Sequence, residues 1–375
     1  MAKIIYSMGA RLAGGGIGTT AYHAVQGYHR NRLLKYVICG SYRETEIPSS
    51  LIHSIGLVSR IIRKIANYDS QNHVDYYYRL LYDEWASWQV QPSDCFHGWS
   101  GYGQKTIEKA KSYGAITILD RASAHPVKRN EILDAEYSRI GLHHRWSKTV
   151  SFIQEEIRIA DYIFIPSDFV RQTFIDEAVP ESKLIQIPFG VDNQKFQPNS
   201  DRMFRGKFIA LFVGKVCVNK GVHILLEVWN RLNWENAELW FAGRMDFPKD
   251  FLKRYKSMKN VRFLGHVHDI VEIYQQADIF VFPSLAEGSA LVTYEAMACG
   301  LPVVTTPNAG SIVQDGVDGF VIPYNDIDKI ASHLDILRSD NRLIKEMGKS
   351  ARSHVQSFTW HQYGERIVQE ILDIS

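Results

Sequence analysis

Two glutamates, Glu287 and Glu295, stand eight positions apart in a stretch without any other charge, EGSALVTYEAMACGLPVV (287–304). An apolar run ending in proline and serine, DIFVFPS (278–284), precedes them. The pattern predicts a strand, a loop, a helix and a further strand. If the helix begins near Ala290, Glu287 lies in the loop before its positive N-terminal end, and Glu295 lies more than one turn inside. Two carboxylates would then face one region at different depths.

Basic residues follow two other predicted strands of the same half. Lys215 and Lys220 come after KFIALFVG (207–214), and Arg244 comes after ELWFAG (238–243). Ligands of open α/β sheets bind outside the carboxyl ends of the strands. Lysine, arginine and glycine at such ends suit a bound phosphate ester.

Two alternating series of strands and helices would position these loops. The predicted strands are 3–9, 35–40, 94–98, 115–120, 162–167 and 184–188 in the first series, and 207–214, 238–243, 261–265, 278–283, 302–306 and 319–323 in the second. Residues 51–91 are interpreted as one or two helices, and 359–375 as a terminal helix. The alternation predicts two mostly parallel α/β sheets in tandem.

The predicted domain limits follow from a change in pattern at 190–206, a polar, turn-forming stretch that suits a linker. We expect a first Rossmann-like domain over 1–198, a second over 199–356 and a terminal helix over 357–375. Two such domains facing each other would enclose a ligand-binding cleft.

Length and composition limit the classes of function. The 375 residues suit two domains, and a net charge of +2 gives no support for nucleic-acid binding. The four cysteines show neither metal-ligand spacing nor a disulfide pattern, which predicts a reducing compartment and no structural zinc. Without a signal-like segment or a long apolar run, a cytoplasmic location is expected.

The second half resembles the nucleotide-sugar domain of retaining glycosyltransferases of family 4, which have the GT-B fold. The resemblance is carried by FVGK with NKGVHILLEV (212–228), by FAG (241–243), by FPSLAEGSALVTYEAMACGLPVVTT (282–306) and by NAGSIVQDGVDGFVIPYND (308–326). It covers 187–356 closely and the first half loosely. It implies two facing Rossmann-like domains with a cleft between them and a C-terminal helix that crosses back to the first domain.

The resemblance also implies roles for individual residues. Lys215 and Lys220 match the family's basic pair for the leaving diphosphate, and Arg244 and the backbone at 266–267 are candidates for base recognition. Glu295 corresponds to the carboxylate that binds the ribose hydroxyls, and Glu287 to the one that reaches the transferred sugar. The backbone amides of three residues at the helix start would hold phosphate oxygens: Ser289, Ala290 and Leu291.

Such enzymes are usually held to react on one face of the sugar, with the leaving phosphate helping to remove the acceptor's proton. The resemblance therefore implies neither a protein nucleophile nor a metal, and no predicted strand leads directly into an Asp-x-Asp motif of the metal-dependent kind. We expect no cofactor beyond the nucleoside-diphosphate-sugar co-substrate.

The first half departs from the family's pattern. Where many members have a histidine directly after the strand 115–120, this chain has Asp120 and Arg121. His125, five residues later, is the predicted sugar-side histidine, and His97 is the alternative. In the loop 14–18, Gly15 and Gly16 would let the backbone approach the diphosphate or the acceptor.

Each of these assignments has a purely structural alternative. The glutamates and lysines could be solvated surface groups, the glycines could only shape a turn, and His97 and His125 could be structural histidines. Asp120 and Arg121 could pair with each other. The segment 51–68, with apolar positions at 51, 55, 58, 62 and 65 and basic residues at 60, 63 and 64, could contact a membrane surface or pack on its own domain.

The function that the sequence predicts is a metal-independent retaining glycosyltransferase of the hexosyltransferase type. It would move a sugar from a nucleoside diphosphate to an acceptor hydroxyl in polysaccharide or glycolipid assembly, with Glu287, His125 and Lys220 as the catalytic groups. The alternatives are a catalytically silent nucleotide-sugar-binding or scaffold protein, and a sugar-nucleotide epimerase.

Overall fold

The computed structural model describes residues 2–66, 73–199, 206–247, 251–255 and 258–374. It does not describe the side chains of Arg60, Arg63, Lys64, Ala66, Leu252 and Arg254. Parts of two sequence predictions, the end of the segment 51–68 and residues 200–205 of the linker, therefore lie outside the described residues.

The first sheet has seven strands, all paired in parallel. They are β1 (Ile4–Leu12), β2 (Leu34–Tyr42), β3 (Ile52–Ser54), β4 (Cys95–Trp99), β5 (Ile116–Asp120), β6 (Tyr162–Ile165) and β7 (Leu184–Gln186). Their order in the sheet is β3-β2-β1-β4-β5-β6-β7. The strand order reverses direction between β1 and β4, which is where doubly wound sheets bind ligands.

Helices connect most of these strands along the chain. They are α1 (Ile17–Arg30), α2 (Leu57–Ala66), α3 (His73–Gln89), α4 (Gln104–Ser112), α5 (Pro126–Arg139), α6 (Val150–Ile159) and α7 (Asp168–Ile175). The helical interpretation of 51–91 was wrong at its start, because Ile52 pairs with Val37 of β2 and extends the sheet as β3. Only three residues form this strand, too few for a periodic sequence signal.

The second sheet has six parallel strands in the order β10-β9-β8-β11-β12-β13. They are β8 (Phe208–Val213), β9 (Ala237–Ala242), β10 (Val261–Gly265), β11 (Ile279–Phe282), β12 (Val303–Thr305) and β13 (Gly319–Val321). Five helices lie between or after these strands: α8 (Val222–Leu232), α9 (Ile270–Gln276), α10 (Leu291–Ala298), α11 (Ile327–Ser339) and α12 (Asn341–Val355). A terminal helix, α13 (Trp360–Ile374), follows them in the sequence. Here the strand order reverses between β8 and β11.

The chain forms two compact units, one of residues 1–130, 145–188 and 360–375, and one of 131–144 and 189–359. Residues 131–144, from the first half of the sequence, belong to the second unit, where Leu133 lies in the apolar core. A buried hydrogen bond also holds this segment, because Glu136 Oε1 lies 2.5 Å from Nε2 of His223.

The terminal helix α13 packs on α1 of the first unit. The two helices approach closely at Gly27, where a Cβ atom would lie 2.7 Å from the carbonyl oxygen of Gly364. Trp360 stacks on His23 with ring centroids 4.6 Å apart. The small residues at the crossing explain how the last helix of the sequence joins the unit formed by its beginning.

Candidate functional site

Two loops meet at the point where the strand order of the second sheet reverses. One follows β8 and carries Lys215 and Lys220, and the other follows β11 and carries Glu287. The Leu285 amide donates to the carbonyl oxygen of Asn219 at 3.0 Å, so backbone hydrogen bonding joins the loops directly.

Lys220 and Glu287 form an ion pair between these loops. Their side chains are only 20% and 18% exposed, so the pair is screened less by solvent than a surface pair. Asn219 Nδ2 also donates to Glu287 Oε1 at 3.3 Å, and the Glu287 amide donates to the Asn308 carbonyl oxygen at 2.9 Å. Glu287 is therefore held from both its side chain and its backbone.

Gly221 sets the path of the chain from Lys220 into α8. Its φ is +67°, and a Cβ atom there would lie 1.8 Å from the carbonyl oxygen of Pro283. Any side chain would force apart the two loops that carry Lys220 and Glu287. The glycine of the NKG motif is thus required by close backbone approach as well as by its left-handed conformation.

Lys215 and Arg244 lie on the loops after β8 and β9. Lys215 forms an ion pair with Asp246, and both side chains are about half exposed, at 47% and 49%. Hydrogen bonds join these loops too, since the Val216 amide donates to the Arg244 carbonyl oxygen at 2.9 Å. Arg244 itself is exposed, and no partner of its guanidinium is seen among the described residues.

The start of α10 differs from the prediction in one detail. Of the three amides expected to hold phosphate, that of Ala290 donates to the carbonyl oxygen of Ala309 at 3.0 Å. Within the described part of the chain, no hydrogen bond from the amide of Ser289 or Leu291 is seen. These two amides are the ones that the helix start offers to an anion.

Glu295 lies in the second turn of α10, as predicted. Burial raises the pKa of its carboxyl to about 7, although the hydrogen bond that Oε2 accepts from Tyr274 at 2.9 Å lowers the pKa. At neutral pH the carboxyl is thus divided between its charged and neutral forms. Tyr274, on α9, had no signal in the sequence, because it stands 21 positions before Glu295 in an ordinary apolar pattern.

Residues 207–340 match the family described as glycosyl transferases group 1. This segment contains Lys215, Lys220, Arg244, Glu287 and Glu295 together. The matched segment therefore covers the candidate site of the second unit.

Known glycosyltransferases are similar in sequence to this chain. The capsular polysaccharide biosynthesis glycosyltransferase CapM of Staphylococcus aureus is 26% identical over 247 residues, which are 60% of this chain and 64% of CapM. The chain thus spans less than two thirds of that relative.

The same fold is found in solved glycosyltransferase structures. A sucrose-phosphate synthase from Thermosynechococcus elongatus superposes with a TM-score of 0.73 at 18% identity, covering 100% of this chain and 99% of that one. Anabaena HepE, solved with UDP and glucose, has a TM-score of 0.67 at 15% identity over 100% of each chain. The predicted GT-B fold is confirmed.

The family match, over residues 207–340, does not include the first unit. Gly15 and Gly16 are exposed in the turn between β1 and α1, with φ of +91° and +54° and open space where a Cβ atom would stand. They leave the start of α1 accessible at the carboxyl end of β1. Their predicted contact with diphosphate or acceptor stays a prediction.

His97 and Asp120 lie in the interior of the first unit. Nδ1 of His97 lies 2.7 Å from the hydroxyl oxygen of Tyr28, and Nε2 lies 3.6 Å from Oδ2 of Asp120. Burial lowers the pKa of His97 to about 3 and raises that of Asp120 to about 8, so both are neutral near pH 7. Neither side chain offers an exposed surface to a sugar, so their predicted role on the sugar side stays a prediction.

Arg121 directly follows β5, and His125 ends the loop that leads to α5. The guanidinium of Arg121 donates to the Ala124 carbonyl oxygen at 3.0 Å, and burial lowers its pKa to about 10. His125 is 3% exposed, and its amide donates to Oγ1 of Thr173 at 3.0 Å. Asp120 and Arg121 do not pair with each other among the described contacts.

A carboxylate occupies the amide-lined turn after β4. The amides of Gly101, Tyr102 and Gly103 donate to the fully buried carboxylate of Glu156 at 2.6, 2.9 and 2.6 Å. In the first sheet this turn has the same place in the topology as the loop carrying Glu287 in the second. The first unit therefore fills with its own glutamate the kind of turn that binds anions elsewhere.

Proposed function

We propose that this chain is a retaining glycosyltransferase that transfers a hexosyl group from a nucleoside diphosphate to an acceptor hydroxyl without a metal ion. The observation that carries the proposal is the partly buried pair of Lys220 and Glu287 at the strand reversal of the second sheet. It places a cation where a leaving diphosphate gains charge and a carboxylate where the sugar would lie.

The contacts divide the donor among the described groups. The diphosphate would lie against Lys215, Lys220 and the free amides of Ser289 and Leu291, while Glu295 would accept the ribose hydroxyls. The filled turn at Glu156 supports placing the diphosphate in the second unit rather than the first. Arg244, which is exposed and has no described partner, would reach the base.

The reaction in this proposal has one transfer step. The bond between the anomeric carbon and the phosphate oxygen breaks, the acceptor oxygen bonds to that carbon from the same face, and the acceptor's proton passes to the departing phosphate. Lys220 would stabilise the charge that develops on the diphosphate. No protein nucleophile is needed in this sequence of events.

The setting of the reaction is part of the proposal. The names of the relatives, capsular polysaccharide biosynthesis for CapM and a complex with UDP and glucose for HepE, support a nucleotide-sugar donor and a polysaccharide or glycolipid product. We place the protein in the cytoplasm, with peripheral contact to a membrane through residues 51–68. The described residues contain no helix long and apolar enough to cross a bilayer.

A silent nucleotide-sugar-binding protein is the second candidate. It is favoured by the first unit, where His97, Asp120 and His125 are each at most 3% exposed. In such a protein the second unit would retain the donor site, while the first unit would have lost the reacting groups of the acceptor side.

Proton NMR of the first sugar product distinguishes these possibilities. With an α-linked UDP-, GDP- or ADP-hexose and water as the acceptor, we expect the α-anomer of the free hexose to appear before mutarotation. Initial appearance of the β-anomer would refute retention, and formation of a different sugar nucleotide would indicate an epimerase. Tight binding with no turnover, also when sugar acceptors are added, would indicate the silent protein.

A further inference from the structure

Large apolar side chains are exposed mainly on two consecutive helices of the first unit. Of the 16 such side chains in the described part of the chain, eight lie on α2 and α3. They are Leu57, Val58, Ile61, Ile65, Tyr77, Leu80, Leu81 and Trp88. A concentration of exposed apolar side chains favours an interaction site, whereas single ones scattered over a surface do not.

The exposed face of α2 is a true helical stripe. Leu57, Ile61 and Ile65 follow one another at intervals of four residues, and their exposures are 71%, 58% and 53%. The exposed positions are 57, 58, 61 and 65, of which 58 and 65 belong to the predicted pattern at 51, 55, 58, 62 and 65. Among the described residues, packing on its own domain, the structural alternative for this segment, leaves these four side chains exposed.

The opposite face of α2 anchors the helix. Ser59 is fully buried, and its hydroxyl oxygen lies 2.9 Å from the hydroxyl oxygen of Tyr78 on α3, within hydrogen-bond distance. The Tyr78 hydroxyl donates to the Gly9 carbonyl oxygen of β1 at 2.6 Å. Ser59 therefore faces the inside of the unit, while Leu57, Ile61 and Ile65 face outward.

The charge of α2 selects among the partners that an apolar face could take. Residues 57–66 contain three basic residues and no acidic one. On α3, Asp75 pairs with Arg79, and Glu84 pairs with Lys105, so these acidic groups are already neutralised. A second copy of this chain would bring the same three positive charges to the contact, whereas an anionic lipid surface would attract them.

We propose that the apolar face of α2, together with the exposed side chains of α3, docks on the surface of an anionic phospholipid bilayer. The apolar side chains would enter the boundary between headgroups and acyl chains, and the net positive charge of residues 57–66 would strengthen binding to anionic lipids. The docking does not depend on the proposed transferase activity, but it would bring that activity to an acceptor in a membrane.

Flotation of the full-length protein with vesicles tests the proposal. We expect binding to phosphatidylcholine vesicles containing phosphatidylglycerol and weak binding to phosphatidylcholine alone. Changing both Ile61→Asp and Ile65→Asp should lower the partition coefficient more than tenfold. Changing Arg60, Arg63 and Lys64 together to glutamine should lower it by roughly fivefold per charge and remove its salt dependence.

Matched variants and a second readout separate docking from folding and from catalysis. Ile336→Asp with Leu372→Asp changes two apolar side chains of similar exposure, 45% and 48%, outside α2 and α3, and should leave binding unchanged. Nucleotide release from a sugar nucleotide without vesicles should be the same in wild type and in the α2 variants. If neither wild type nor the α2 variants released nucleotide, also with sugar acceptors added, the proposed function would be refuted but the docking would not.

The docking proposal is overturned if wild type fails to float with anionic vesicles at low salt, or if the α2 aspartate variant binds as well as wild type. It is also overturned if wild type sediments as a dimer that the same variant converts to a monomer, because the face would then join two copies of the chain.

Discussion

Lys220→Ala should lower kcat/KM for nucleotide release by roughly 100- to 1000-fold. This is the usual loss when one group that stabilises developing charge is removed. The variant would remove the cation beside the leaving diphosphate and leave Glu287, 18% exposed, without its ion-pair partner. Steady-state kinetics with the preferred donor measures the effect, and the melting temperature shows whether the fold is intact.

A lysine at the other end of the same strand is the matched control. Lys207, just before β8, pairs with Oε1 of Glu238 at 3.0 Å and is 56% exposed. Lys207→Ala should change kcat/KM less than twofold by the same measurement. If Lys220→Ala behaves like Lys207→Ala, Lys220 does not contact the diphosphate.

A double variant shows whether Lys220 acts on the donor or only on Glu287. If the lysine served only to neutralise the glutamate, Lys220→Met combined with Glu287→Gln would restore most of the activity. We expect no such recovery, because the diphosphate would still lack its cation.

Donor affinity should rise with pH through about 7, where the Glu295 carboxyl loses its proton. The ionised carboxylate accepts hydrogen bonds from two ribose hydroxyls, which a protonated carboxyl does less well. Because a group with a pKa near 7 is about one-tenth ionised at pH 6, affinity should fall by up to about tenfold between pH 8 and pH 6. Titration calorimetry with the nucleoside diphosphate measures this change.

The Glu295→Gln variant isolates this carboxyl from other titrating groups. Its affinity should be weaker at pH 8 and should lose the part of the pH dependence that Glu295 causes. An unchanged pH profile in the variant would mean that Glu295 does not bind the nucleotide.

Protein stability should respond in the opposite direction. A pKa raised from 4.5 to about 7 by burial means that the folded state favours the protonated carboxyl. The stabilisation is complete below pH 4.5 and is lost as the pH rises through 7. Without ligand, Glu295→Gln should therefore raise the free energy of unfolding at pH 8, by about 1 to 3 kcal/mol.

The sequence predicted most of what local patterns can determine. The strands β8 to β13 lie within two residues of their predicted limits, because buried parallel strands appear as short apolar runs. Lys220, Glu287 and Glu295 could be predicted as site residues because they match motifs of the family that the sequence resembles and follow β8 and β11 along the chain. Parallel topology then brings these ends to one edge of the sheet.

Other features depend on contacts between distant parts of the chain. The hydrogen bond from the Ala290 amide to Ala309 and the pairing of Lys215 with Asp246 have no local signal. The same holds for Glu156, which fills a turn more than 50 positions away. Residues 131–144 joined the second unit because Glu136 and Leu133 find partners there, and no pattern in the sequence names those partners.

The most direct measurement is nucleotide release in EDTA from a panel of UDP-, GDP- and ADP-sugars by wild type, Lys220→Ala and Glu295→Ala. We expect wild type to cleave one class of donor with EDTA present, and both variants to lose most of that release. Release that requires added magnesium or manganese, or that persists in both variants, would contradict a metal-independent donor site built from Lys220, Glu287 and Glu295.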